Sequence, residues 1–149
     1  MADLEFSRDF SVSPNEVFVF FVPQRMPLWY DTEMNAHFEV QGGASDFAVG
    51  QKVRITGDLG KWEVALTAVI TVFQWERELE WQFQDSYGVR GMQRWELEPV
   101  PSGTRLRMCD SYRMPHLFGR IFDFALTRFA VKQRDRAWLD RLQHLAERR

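Results

Sequence analysis

From Met34 to Tyr112 the chain repeats one pattern: apolar and polar residues alternate in successive runs, and short turn segments divide them. A period of two belongs to strands with one wet and one dry face, not to helices. The pattern predicts strands over 34–41, 50–57, 61–74, 76–84, 88–98 and 104–113. The dividers are Gly42-Gly43, Gly57-Asp58-Leu59-Gly60, Asp85-Ser86-Tyr87-Gly88 and Pro99-Val100-Pro101-Ser102-Gly103. Most of these connections are too short for a parallel crossover, so an antiparallel meander is expected.

The same alternation opens the chain. Leu4, Phe6, Arg8, Phe10 and Val12 share one side of a first strand. Ser13-Pro14-Asn15-Glu16 then supplies an N-cap, a first-turn proline and an early acid, which starts a short helix. Pro23 ends it, and a second short helix or turn is expected from Met26 to Tyr30. Beyond Pro115 the period changes to that of a helix reaching the C-terminus. Leu117, Phe124, Val131, Trp138 and Leu145 form one apolar stripe, and Phe118, Phe122, Ala125 and Phe129 a second. A helix start with two apolar stripes must meet two apolar surfaces: the sheet, and either a cavity or a second copy of the chain. The expected fold is α+β, a curved seven-stranded antiparallel sheet around a long C-terminal helix, with residues 1–149 forming one domain.

Charge patterning suggests strand register. Opposing Glu98 to Arg105 and Glu96 to Arg107 matches opposite charges on the wet face, and the preceding hairpin then sets Glu78 opposite Arg94. On the dry face this register puts Gln93 opposite Asp110, among Trp81, Trp95, Met108 and Tyr112. A carboxylate on an apolar face must be partnered, hydrated or protonated. Arg8, on the apolar side of its own strand, is a candidate partner.

With 13 Phe, 6 Trp and 3 Tyr, the dry face is rich in large rings, whose packing in a small domain leaves room for a cavity. A net charge of −2 provides no field for nucleic acid. The basic residues near the C-terminus, including Arg128, Arg134, Arg136 and Arg141, are interrupted by Asp135 and Asp140 and read as a solvated helix face. No apolar run is long enough to span a bilayer. The lone Cys109 cannot form an intrachain disulfide, which suits a reducing cytoplasm.

Strand, short helices, strands and long helix, in that order, resemble the START-like (SRPBCC, helix-grip) superfamily, and its polyketide cyclase/dehydrase-like branch in particular. The similarity is carried by Phe10 to Phe21 (FSVSPNEVFVFF), Gly50 to Thr56 (GQKVRIT), Trp95 to Leu106 (WELEPVPSGTRL) and the helix from Leu117 to Leu145. The resemblance implies a pocket between sheet and helix for a hydrophobic or amphipathic molecule such as a lipid, quinone or polyketide. It would be lined by Trp29, Trp62, Leu66, Trp81, Trp95, Met108, Phe118 and Phe122.

Other chemistry is poorly represented. His37, His116 and His144 are far apart and lack metal-ligand spacing. No Gly-rich phosphate loop appears, and no cofactor is expected. If the pocket is catalytic, Asp110 is the candidate acid or base, with Tyr112 or Gln93 orienting a carbonyl or hydroxyl. If it only binds, Arg8, Gln93 and Asp110 anchor the polar end of the ligand. A homodimer through the C-terminal helix is the third expectation.

Overall fold

In a computed structural model that describes residues 2–113 and 124–148, the alternating runs form one antiparallel sheet of seven strands. They are β1 (Ala2–Phe10), β2 (His37–Val40), β3 (Lys52–Leu59), β4 (Trp62–Gln74), β5 (Glu78–Asp85), β6 (Arg90–Val100) and β7 (Gly103–Arg113). Their order across the sheet is β1-β7-β6-β5-β4-β3-β2, so the first strand pairs with the last. Helix α1 (Pro14–Phe18) follows β1, and helix α2 (Phe124–Glu147) packs against the sheet. The second short helix or turn expected from Met26 to Tyr30 is a 3₁₀ turn, Met26–Leu28, with a further turn at Thr32–Met34. Pro27 sits within the first of these turns and cannot donate a backbone hydrogen bond to extend it.

The β6–β7 register matches the charge argument: Glu98 opposes Arg105, Glu96 opposes Arg107, and Gln93 opposes Asp110. The β5–β6 register differs from expectation. Arg94 opposes Glu80, and Glu78 opposes Glu96. Turn chemistry overrides surface charge here. Asp85 Oδ1 accepts backbone hydrogen bonds from Tyr87 and Val89, both at 2.9 Å, and Gly88 takes a φ of 87°. This closed loop sets the pairing, whereas each surface ion pair contributes only about 0.2–1 kcal/mol. The like pair is eased by Arg94, whose Nε lies 2.7 Å from Glu96.

The C-terminal turns of α2 are tied to β1. Glu147 accepts from the Ser11 backbone at 3.0 Å and from its hydroxyl at 2.8 Å, and Gln143 donates to the Asp9 carbonyl at 3.1 Å. Arg8 belongs to the same seam: it donates to Asp140 at 2.6 Å and to Gln143 at 3.1 Å. Asp110 therefore does not have Arg8 as its partner. Arg8 pairs across the sheet with Leu106, and Leu4 is the β1 residue facing Asp110.

The space beneath the sheet is divided along the strands. At one end, Leu79, Trp81, Trp95, Leu106 and Met108 are fully buried and pack with Phe18, Phe21, Trp29 and Tyr30 from the segment after β1. Trp95 is central, with ring centroids 5.2 Å from Trp81, 5.9 Å from Trp29 and 5.9 Å from Phe21. At the other end of the strands the inward residues are smaller. Gly91 lies between Phe83 and Tyr112, and a Cβ there would collide with the Ser111 carbonyl oxygen of β7. Gly91→Ala should therefore force β6 and β7 apart and lower the unfolding free energy by about 1–3 kcal/mol, measurable by chemical denaturation.

Candidate functional site

At this less filled end, the sheet, α2 and the Thr32–Met34 turn enclose a cavity of about 410 Å³. Its walls are mostly apolar: Ile55, Val64, Leu66, Phe83 and Val89 from the sheet side, Met34 from the turn, and Val131 and Ala137 from α2. Its polar residues include Asp31, Gln93, Asp110, Tyr112 and Arg134. Arg141 of α2 reaches Glu33 at 3.3 Å, joining helix and turn across the cavity wall.

Asp110 is fully buried, and its partner comes from the helix. Arg134 Nη2 donates to Asp110 Oδ2 at 3.0 Å and to Asp135 Oδ1 at 3.2 Å, and its Nε also reaches Asp135 at 3.3 Å. The guanidinium lies over the Trp138 ring, 4.4 Å from the centroid, and Trp138 stacks on Tyr30 with ring centroids 4.1 Å apart. Tyr30 donates to Gln93 Oε1 at 2.9 Å, as does Trp81 Nε1, while Gln93 Nε2 contacts Asp110 Oδ2 at 3.5 Å. Burial and neighbouring carboxylates hold the Tyr30 hydroxyl well above its usual range, so it remains a donor. The cluster separates the packed aromatic core from the cavity.

Asp110 Oδ1 and Asp135 Oδ2 are buried without a hydrogen-bond partner among the described residues, and the two carboxyls are within hydrogen-bonding reach of each other. Burial pushes the Asp135 carboxyl up from 3.8 to about 9, against the pull of Arg134 and with the help of Asp110. Burial raises Asp31 too, opposed by Arg134 and by a hydrogen bond from Trp138. Desolvation disfavours the Arg134 charge, but Asp135, Asp31 and Asp110 more than offset it and hold the guanidinium protonated. Asp31 and Asn35 bracket the cavity turn with φ of 48° and 51°, a left-handed conformation that Asp and Asn tolerate better than most residues.

Of the residues singled out from sequence, Leu66, Gln93, Asp110 and Tyr112 line the cavity. Trp29, Trp81, Trp95 and Met108 do not: they are 0–1 % exposed within the packed end of the core. Alternation placed the strand residues on the inner face, but could not say which inner positions the molecule fills itself. Phe118 and Phe122 lie outside the described residues, as does the side chain of Trp62. Phe129, from the second helical stripe, is 62 % exposed. Arg134 and Asp135 were hidden by the reading of a solvated basic face. The signal that could have found them is spacing: Asp135 falls one helical turn after Val131 and three residues before Trp138, on the apolar stripe itself.

A curved antiparallel sheet gripping a C-terminal helix over a cavity is the helix-grip ligand-binding fold. The chain belongs to the polyketide cyclase/dehydrase and lipid transport family, whose sequence profile matches residues 1–147. Among solved structures it is similar to protein MLL2253 from Mesorhizobium loti, at 18% identity and a TM-score of 0.76, over 99% of this chain and 98% of that one. Protein CV1439 from Chromobacterium violaceum gives 16% identity and a TM-score of 0.75, over 99% of both chains. DynU16, a protein of the dynemicin biosynthetic locus, gives 15% identity and a TM-score of 0.71, over 98% of this chain and 47% of that one. At such identities the likeness shows the fold alone. No curated protein matches the chain. No helix among the described residues is long and apolar enough to cross a membrane.

The raised Asp135 carboxyl has a definite sign in stability. The folded state retains its proton while the unfolded chain releases one above about pH 4. The stabilisation is thus full below that pH and is lost as pH rises through about 9. Asp135→Asn has no proton to lose, so thermal unfolding across about pH 5 to 9 should show a flatter decline than in the parent protein. An unchanged slope would mean that Asp135 ionises like an exposed carboxyl.

Proposed function

We propose that the protein binds a small hydrophobic or amphipathic molecule, such as a lipid, quinone or polyketide, and carries or sequesters it. The observation that carries this reading is the 410 Å³ cavity, with mostly apolar walls and the Arg134–Asp110 pair among its polar lining. That volume lies within the range of small-molecule sites, and a mostly apolar wall with a few polar groups suits an amphipathic ligand. Membership of a family described by both cyclase/dehydrase and lipid transport activities supports a ligand of this kind.

One observation favours a second reading, an enzyme related to polyketide cyclases or dehydratases. Asp110 lines the cavity beside Asp135, whose carboxyl burial holds protonated, so an acid stands close to the wall that a bound molecule would meet. Carriage remains the better-supported function, because Nε and Nη2 of Arg134 are engaged with the cluster's own carboxylates.

Nile red, an uncharged fluorophore, should bind near one per chain and brighten on binding. Leu66→Trp and Val131→Trp, which fill the cavity, should each abolish the signal while unfolding remains cooperative. Unaltered binding in both variants would place the dye, and the proposed site, elsewhere. For the second reading, Asp110→Asn should eliminate turnover of a substrate while retaining Nile red binding.

A further inference from the structure

The charges around the cavity narrow the ligand class, on the reading that the cavity is a binding site. Both guanidiniums on its wall are already matched: Arg134 by Asp110 and Asp135, Arg141 by Glu33. Against these two cations stand five carboxyl groups, with Asp31, Glu33, Asp85 and Asp110 on the wall and Asp135 directly behind it. Even with two of the five protonated, negative charge is in excess. Arg128 is the other cation whose field reaches Tyr112, but it is exposed and is not on the wall, so solvent screens it.

We infer that the cavity takes a molecule whose polar end is an uncharged carbonyl or hydroxyl, and rejects carboxylates such as fatty-acid anions. An entering carboxylate would lose its water and meet a wall of its own sign, with no uncommitted cation on that wall among the described residues to receive it. A neutral acceptor meets two available donors. Arg134 Nη1 makes no hydrogen bond among the described residues, and 40% of the Arg134 side-chain surface remains accessible. The Tyr112 hydroxyl is likewise uncommitted among the described residues and lines the same wall. An ammonium group fits less well. It would bring donors and a like charge to Arg134 Nη1.

Competition against Nile red tests this with three molecules of one chain length: dodecanol, the corresponding methyl ketone, and dodecanoate. At about pH 8 the alcohol and the ketone should displace half of the dye at concentrations roughly tenfold below that needed for dodecanoate. Asp110→Asn removes one negative charge and should narrow that gap by improving dodecanoate. Dodecanoate competing as well as or better than the neutral molecules overturns the inference. If Nile red binds and all three compete equally, only the charge selection fails; if Nile red does not bind, the cavity reading fails and takes the inference with it. Should Asp110→Asn not fold, the ranking in the parent protein decides.

Discussion

A single arginine set against buried acids organises this molecule. Asp110 sits on the inner face of β7 with no exposed surface, and nothing in the sheet can neutralise it. Its partner must come from the element packed above, and Arg134 of α2 supplies it at 3.0 Å. That contact restricts how α2 can rotate about its axis. With Arg134 over Asp110, Trp138 falls beneath the guanidinium and against Tyr30, and Asp135 is carried inward with them. Asp31, in the turn over the cavity, is drawn into the same field. Removing one member of such a buried set leaves an uncompensated charge, a far larger penalty than losing a surface ion pair. Helix, turn and sheet are therefore positioned against one another by electrostatics as much as by apolar packing.

The polar layer also accounts for where the cavity lies. On the side of Trp81 and Trp95 the molecule fills its own interior with rings. Once past Gln93 and Asp110, the inward row carries Phe83, Gly91 and Tyr112, and beyond it Leu66 and Val89. The side chains of Leu66, Phe83, Val89 and Tyr112 line the cavity left between sheet and α2. The cavity is a product of residue size along the strands, bounded on one side by hydrogen-bonded groups that hold each other in place.

Much of the architecture was legible because period and turn chemistry are local. The strands, their antiparallel order, the capped α1 and the opposition of Gln93 to Asp110 follow from alternation and from charges on adjacent runs. The β5–β6 register was misjudged because a closed loop at Asp85 to Gly88 outweighs weak surface pairs. The site was only partly legible. Asp110, Gln93, Tyr112 and Leu66 follow from facing direction alone. Which tryptophans line a cavity and which fill the core depends on how α2 and the segment after β1 pack over the sheet, and strand alternation carries no information about that. Arg134 escaped because charged helical residues ordinarily face water, and the exception depends on a carboxylate from a strand distant in sequence.

Dividing one sheet into a solid end and a hollow end separates two kinds of evolutionary constraint. Residues such as Trp95 and Met108 have neighbours on all sides, so drift there is met by loss of folding. Leu66, Phe83 and Val131 border empty space, and exchanging them for other apolar side chains reshapes the chamber at little cost to the frame. A scaffold built this way can change the shape of its chamber by small steps while its architecture stays put.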